Sequence, residues 1–481
     1  MKTNLPVIPV PKEICWNGAD EAAKVVVRAA VCTLHAPFRT AAAAFCEIAI
    51  KTRGAELADA NGGIELVFDA ALSAGEYRIE CSERSVCAYA ADEDGASYAL
   101  ATILQLMEVV PEGLMLPDAV IHDKPDCGYR SLMVDLARQW HTFEEVLVYV
   151  DLCWLYKVKF LHLHFIDSQS YTLPSDVFPG LSTPDRHYTR AQIEQLCAYA
   201  RSRSVEIIPE FEVPGHAAAM IGAYPELFAN TPVDPAAARE HDNLLCIGKP
   251  GVMENIRKLL QEMAGLFPES RYLHIGGDEA EIEQWNDCVD CRRYMEENGI
   301  DGVRALYTHC VKLVSDMVLD MGRTPIVWEG FPREGAETIS RKVIVVAWES
   351  YYHLAPELLE EGFNIINCAW KPLYITPNRY WTAEDIMGWN IYNWQHWWPN
   401  SIARLNPIHV QPTDQVMGAQ LCAWEGNYSQ EIDRVKENLA ALSERTWNLF
   451  RWDDDDEFRG KLNHVLKLAD RLAPKTLIQE V

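Results

Sequence analysis

A chain of 481 residues that is 49% apolar and 23% charged is neither disordered nor fibrous, and a net charge of −27 repels nucleic acid and anionic membrane surfaces. The length exceeds one ordinary domain and predicts a large unit with a smaller companion. No segment reaches the roughly 18 consecutive apolar residues of a membrane span, and Met1-Lys2-Thr3-Asn4-Leu5-Pro6 lacks the apolar run of a secretion signal, so the expected location is cytoplasmic. Residues 1–125 read as an α+β unit. Val25-Val26-Val27, Ile48-Ala49-Ile50, Ile64 to Phe68 and Tyr77 to Glu80 alternate like half-buried strands. After Asp94-Gly95, the stretch Ala96 to Val109 carries apolar residues at helical intervals, and Pro111, Pro117 and Pro125 mark a linker.

From residue 126 to 455, short apolar runs alternate with helical patterns, the rhythm of βα units. The expected strands are Tyr129 to Leu136, Lys159 to Phe165, Val205 to Phe211, Tyr272 to Gly276, Pro325 to Glu329, Val343 to Trp348, Asn364 to Ala369 and Val416 to Trp424. Helical patterns follow at Phe143 to Tyr156, Ala191 to Ser202, Val252 to Leu266, Val303 to Met321 and Ser429 to Leu449. That pattern predicts an α/β chain with a (β/α)8 TIM barrel, preceded by the smaller α+β domain and closed by a helical extension over 456–481.

In such a barrel the C-terminal strand ends share one face, and that face carries the active site. Here those ends bear His162-Leu163-His164 with Asp167-Ser168-Gln169, Glu210-Phe211-Glu212 with Pro214-Gly215-His216, Gly276-Gly277-Asp278-Glu279, Trp328-Glu329, Trp348-Glu349 and Trp424-Glu425. Trp381, Trp389, Trp394, Trp397 and Trp398 add an aromatic crowd suited either to core filling or to stacking on the C–H face of a sugar. Glycosidic cleavage needs a proton donor on the leaving oxygen and a nucleophile on the opposite face. Asp278 and Glu279 are neighbours on the chain and cannot straddle one ring as acid and nucleophile. A substrate acetamido oxygen that attacks in place of a carboxylate fits them better, with one carboxylate steering the amide and the other protonating the bond. Gly276 and Gly277 are expected to let backbone and ligand approach closely, and burial beside a second carboxylate to raise the acid's pKa.

His274-Ile275-Gly276-Gly277-Asp278-Glu279, with Tyr129-Arg130-Ser131-Leu132-Met133-Val134-Asp135, Asp167-Ser168-Gln169 and Pro214-Gly215-His216, resembles glycoside hydrolase family 20, the β-N-acetylhexosaminidases. The resemblance spans about residues 129 to 450, and the N-terminal unit is similar to the α+β domain that often precedes this barrel. It implies exo-acting, retaining removal of a terminal β-linked N-acetylhexosamine through an oxazolinium intermediate, with an oligosaccharide or glycoconjugate as partner and no metal or organic cofactor. Glu279 is then the general acid and base, and Asp278 orients the N-acetyl group. Arg130 is implied to bind sugar hydroxyls, a guanidinium fork suiting them. Asp167 and His216 are implied to support the acid or line the pocket. Trp328, Trp348 and Trp424, with Trp394 from the aromatic crowd, wall the sugar, and Tyr374 hydrogen-bonds the attacking amide oxygen. The chain departs from the family pattern at Tyr374-Ile375-Thr376, where Tyr-Leu-Asp is usual, and at Trp424-Glu425-Gly426, where Trp-x-Glu is usual. Glu425 is only a partial substitute for the carboxylates that normally address the outer hydroxyls.

Two rival readings use the same residues. A metal-dependent hydrolase would take His162 and His164 as ligands, with Asp167, His216, His274 and Asp278 nearby. A non-catalytic sugar-binding barrel would keep the tryptophans without needing both carboxylates. The 14 cysteines follow no disulfide framework. Only Cys288 and Cys291 form a C-x-x-C, and with no second ligand pair at zinc-site spacing they read as reduced surface or loop thiols.

Overall fold

The computed structural model describes residues 5–18, 22–83, 85–234, 243–450 and 455–477. The N-terminal unit is a seven-stranded mixed sheet made of Glu13–Trp16, Ala30–Thr33, Ala58–Asp59, Ile64–Phe68, Tyr77–Cys81, Val86–Ala90 and Ala119–Asp123. Helices Arg39–Arg53 and Glu93–Leu106 accompany it, with a small sheet of Lys24–Val27, Glu108–Val110 and Gly113–Pro117. Ile48-Ala49-Ile50, expected as a strand, lies inside the first helix. The buried set there is Ala41, Ala44, Phe45, Ile48, Ala49 and Thr52, a three-and-four spacing that leaves Ile50 exposed. The three-residue alternation was too short to distinguish the two periods. The expected linker is likewise ordered sheet: Gly113–Pro117 pairs with Lys24–Val27, and Pro117 occupies the strand's last position.

The barrel strands are β1 (Tyr129–Asp135), β2 (Phe160–His164), β3 (Glu206–Glu210), β4 (Tyr272–His274), β5 (Thr324–Trp328), β6 (Ile344–Ala347), β7 (Asn364–Asn367) and β8 (Val416–Ala423). Each pairs in parallel with the next, and β1 with β8 closes the ring. Every expected strand is present, with its bounds shifted by at most two residues at either end. Helices start where the capping pattern directs: Thr142, Thr189 and Asn427 each accept the third helical N–H, while Glu145, Gln192 and Gln430 return the bond. Side chains alternate across the wall. In β1, Tyr129 and Met133 belong to the inner core, and Leu132 and Val134 to the layer beneath the helices. Tyr374–Ile375, in the connection after β7, adds a short parallel pairing to the C-terminal end of β8.

The last helix, Asp455–Leu472, packs against both units; Arg471 donates to the Thr52 carbonyl and His464 lies 3.3 Å from the Gln105 carbonyl. None of the described helices is long and apolar enough to cross a membrane. All cysteines are free. Cys288 and Cys291, expected in a loop or on the surface, are fully buried beside Cys246.

Candidate active site

Asp278 and Glu279 leave β4 through Gly276 and Gly277, both at positive φ (66° and 94°). A Cβ on Gly276 would stand 2.2 Å from Glu212 Oε1, and one on Gly277 2.6 Å from Val327. The glycines therefore admit the protein's own side chains rather than a ligand. Glu279 itself has φ 45° and His216 φ 52°, a conformation that non-glycine residues adopt at a cost of about 1–3 kcal/mol and that clusters at functional sites.

His216 bridges the acids. Its Nδ1 lies 3.4 Å from Asp167 Oδ1, and its Nε2 lies 3.7 Å from Asp278 Oδ2 and 3.5 Å from Glu279 Oε2. Burial opposes its charge, yet Asp167, Asp278 and Glu279 together hold its pKa well above the imidazole range. The resulting imidazolium divides the two carboxyls. Its contact lowers the pKa of Glu279, whose side chain is 54% exposed. Asp278 is pushed up to about 6 by burial and by repulsion from Glu279, against the pull of His216. The raised pKa expected for the acid thus falls on Asp278 instead, because Asp278 is the one withdrawn from water.

Beneath the pair lies a buried network centred on Glu210. Its carboxylate meets His162 Nε2 at 3.1 Å, His274 Nδ1 at 2.9 Å, Trp328 Nε1 at 2.5 Å and, closest, His164 Nδ1. The other nitrogen of His164 lies 3.1 Å from Asp167 Oδ2. Burial disfavours charge on His164, but Glu210 and Asp167 raise its pKa to about 10. A histidine whose two nitrogens already face carboxylates offers a metal no free position, which counts against the His162 and His164 reading. Glu212, fully buried without a hydrogen-bond partner for either oxygen among the described residues, is kept protonated by burial and by Asp278 and Glu210.

Arg130 is not at this site. It is the second residue of β1, faces outward, and donates to the carbonyls of Cys127 and Lys157 and to Tyr98 Oη at the opposite end of the barrel. The arginine at the site is Arg138, three residues beyond the end of β1. It lies 2.6 Å from Asp167 Oδ2 and 3.2 Å from Asp135 Oδ2, with its guanidinium 4.9 Å from the Trp424 ring centre. The sequence carried the signal. Strand residues advance about 3.3 Å each, so a residue near the start of a seven-residue strand cannot reach the face on which the strand ends.

Trp328, Trp348, Tyr374 and Trp424 do gather on this face. Trp328 and Trp424 are 5.9 Å apart, Tyr374 and Trp424 6.3 Å, and Trp348 and Tyr374 stack at 6.2 Å with 6° between planes. Trp394 is not among them. It is fully buried in the outer layer, and its one donor is spent on the Ala347 carbonyl 3.0 Å away. The Trp-Glu pairs divide by function. Glu329 is buried and accepts four backbone N–H groups, from Trp348, Ser350, Tyr351 and Tyr352, at 2.9–3.2 Å, so it shapes the loop after β6. Glu349, unassigned from sequence, is buried near Glu279, and burial together with that charge raises its pKa to about 8.

Both departures from the family pattern have local causes. Thr376 spends its hydroxyl on the Arg379 carbonyl 2.9 Å away, within a turn. A Cβ on Gly426 would stand 2.7 Å from Glu431 Oε2, and Glu431 is fixed in place by Tyr149 Oη at 2.7 Å. A carboxylate at 426 would displace it. Glu425 is exposed, and its N–H donates to Asp135.

The sequence profile of the Glycosyl hydrolase family 20 catalytic domain matches residues 127–449. The chain belongs to glycosyl hydrolase family 20. It is similar to a Beta-hexosaminidase of Akkermansia muciniphila, 32% identical over 281 residues that cover 53% of this chain and 56% of the relative. It is also similar to one of Vibrio furnissii, 28% identical over 319 residues (61% and 52%), so this chain spans about half the length of these curated relatives. Its fold is that of the Vibrio harveyi GH20 exo β-N-acetylglucosaminidase solved with N-acetylglucosamine, at TM-score 0.82, 24% identity, 98% of this chain and 78% of that one. The Bacteroides fragilis β-N-acetylhexosaminidase gives TM-score 0.78 at 22% identity, covering 95% and 94%.

Proposed function

We propose that this chain is an exo-acting β-N-acetylhexosaminidase that retains anomeric configuration through attack by the substrate's own acetamido oxygen. The observation that carries the reading is the adjacent Asp278 and Glu279 under one imidazolium, facing an aromatic wall. The names of the relatives and the family membership support it.

Asp278, partly buried and with Oδ1 lacking a partner among the described residues, is placed to accept the acetamide N–H and orient the carbonyl oxygen toward the anomeric carbon. In the free site the pair's last proton resides on Asp278, with Glu279 ionised. An amide N–H at Asp278 stabilises its anion, while a glycosidic oxygen at Glu279 excludes water and favours its acid form. Substrate binding therefore transfers the proton to the residue that uses it. Glu279 protonates the leaving oxygen as the amide oxygen closes the oxazolinium ring, and then draws a proton from the water that reopens it. Trp328, Trp348, Tyr374 and Trp424 enclose the acetamide and floor the sugar, and Arg138 takes the hydroxyl-binding role first expected of Arg130.

A chromogenic β-N-acetylglucosaminide, its 4-epimer and a thiazoline mimic of the cyclised intermediate test the proposal. Turnover with strong thiazoline inhibition is expected. Equal turnover of the corresponding non-acetylated glucoside would sink amide participation, and no turnover of any of them would favour a non-catalytic sugar-binding barrel. Weak discrimination between the epimers is expected, because positions 376 and 426 offer no carboxylate to the outer hydroxyls.

A further inference from the structure

Cys246 is 42 residues from Cys288 and 45 from Cys291, yet its Sγ lies 3.5 Å from the first and 3.7 Å from the second. All three are fully buried, and their sulfurs form one cluster within 4.8 Å. Thiolates around a tetrahedral zinc ion, at about 2.3 Å from the metal, stand about 3.8 Å apart. The two distances from Cys246 are close to that spacing. A fourth ligand, an oxygen, is at hand: Asn230 Oδ1 lies 3.8 Å from Cys291 Sγ, and the Asn230 amide nitrogen donates to the Leu244 carbonyl at 2.6 Å. Backbone amides also address the cluster, as buried thiolates require. The Thr231 N–H donates to Cys288 at 3.4 Å, and that of Gly248 interacts with Cys291.

We propose that Cys246, Cys288 and Cys291, with the Asn230 side-chain oxygen, hold a structural zinc ion that clamps the loop after β3 to the segment after β4. The first carries His216 and the second Asp278 and Glu279. Cys246 lies close to the former: the Leu245 N–H donates to the Pro214 carbonyl at 2.9 Å and that of Ala217 to the Asn243 carbonyl at 3.2 Å. Trp285, three residues before Cys288, donates from Nε1 to the Leu245 carbonyl at 2.8 Å, and Thr231 and Val289 join across the same seam at 2.8 Å. The metal completes a connection that these bonds begin and sets the imidazolium against the acid pair. It has no part in bond cleavage. The C-x-x-C lacked a visible partner in sequence because its third sulfur comes from another loop.

The test is elemental analysis of the full chain purified under reducing conditions, with cobalt exchange and thermal melts. Stoichiometric zinc is expected, lost in Cys246→Ser and Cys288→Ser and retained in Cys15→Ser, whose cysteine lies outside the cluster. Chelation of the wild type is expected to lower Tm, with recovery on adding zinc. If the serine variants fail to fold, cobalt-exchanged wild type decides: thiolate-to-cobalt charge transfer with tetrahedral d–d bands supports the site. Three results overturn it: no zinc in the purified chain with none taken up by the reduced protein, zinc retained in both serine variants, or a disulfide mapped between any two of the three cysteines.

Discussion

Strand β1 begins and ends in arginine-centred clusters of similar composition and opposite construction. At its start, Arg130 is buried between the Tyr98 and Trp447 rings, 5.3 and 5.1 Å from their centres, and spends its guanidinium on two carbonyls and a phenol. Beside it Lys157 reaches Tyr77 Oη at 2.8 Å and Asp123 at 3.4 Å, and Asp123 also accepts from Trp447 at 2.9 Å. Every polar group named there has a partner, and the cluster joins the two domains. Beyond its end, Arg138 meets Asp135 and Asp167, but the neighbouring groups are left in tension. Asp278 and Glu212 have oxygens without partners among the described residues, two residues sit at positive φ, and carboxyls crowd one imidazolium. Satisfied charges hold domains together, whereas unsatisfied ones wait for a substrate.

The contrast breaks most sharply at Glu279. Glu279→Gln is expected to lower kcat by about 10²–10⁴-fold with Tm unchanged, read from turnover and melting of the same preparation. An equally large fall in Tm would place Glu279 with the structural cluster. The two arginines come next. Arg138→Ala should cost activity by about two orders of magnitude in a folded protein, in line with loss of a charged contact worth about 1.5–3 kcal/mol. Arg130→Ala should instead remove about 3 kcal/mol of stability, by leaving buried acceptors unpaired, and spare kcat/KM of the folded fraction. The reverse pattern would restore the role first read for Arg130.

A third prediction concerns pH. With Asp278 at about 6 and Glu279 below it, the free pair carries no proton above about pH 6, so kcat/KM should fall as pH rises through that value. His216 lowers both acids. In His216→Gln both pKa values rise, and the alkaline limb should move to higher pH even as the maximum drops. A limb that stays in place would mean that another group sets it. The smallest effect is expected at Glu212→Gln. The folded pKa of Glu212 is raised, so its contribution to stability is present at low pH and lost as pH rises. The glutamine should flatten the decline of Tm toward alkaline pH and leave it nearly unchanged near pH 5. An unchanged decline would show Glu212 to be ionised already.

The barrel was legible because each strand is an apolar run of the right length between helical patterns, and the adjacent carboxylates were legible because their chemistry depends on chain adjacency. What escaped depended on position along or across an element. Arg130 and Arg138 are eight residues apart, one near the start of β1 and the other beyond its end, and only the direction of the strand separates their positions. Trp394 looks like its neighbours in composition but lies in the outer layer. The division of pKa between Asp278 and Glu279 depends on which carboxyl the backbone withdraws from water, and that follows from φ values that no motif displays.

Strand β4 has three residues and shares a single register pair with β3, Glu210 to His274: the Phe211 N–H donates to the His274 carbonyl, but Pro209, two residues earlier on the same side of β3, has no N–H to continue the ladder. The barrel is therefore thinnest in backbone bonding directly under its most reactive turn. Side chains substitute there, with Glu210 gripping His162, His274 and Trp328 across the gap. Amide hydrogens of β4 should exchange with solvent through smaller openings than those of β1 and β2, where the ladders are continuous.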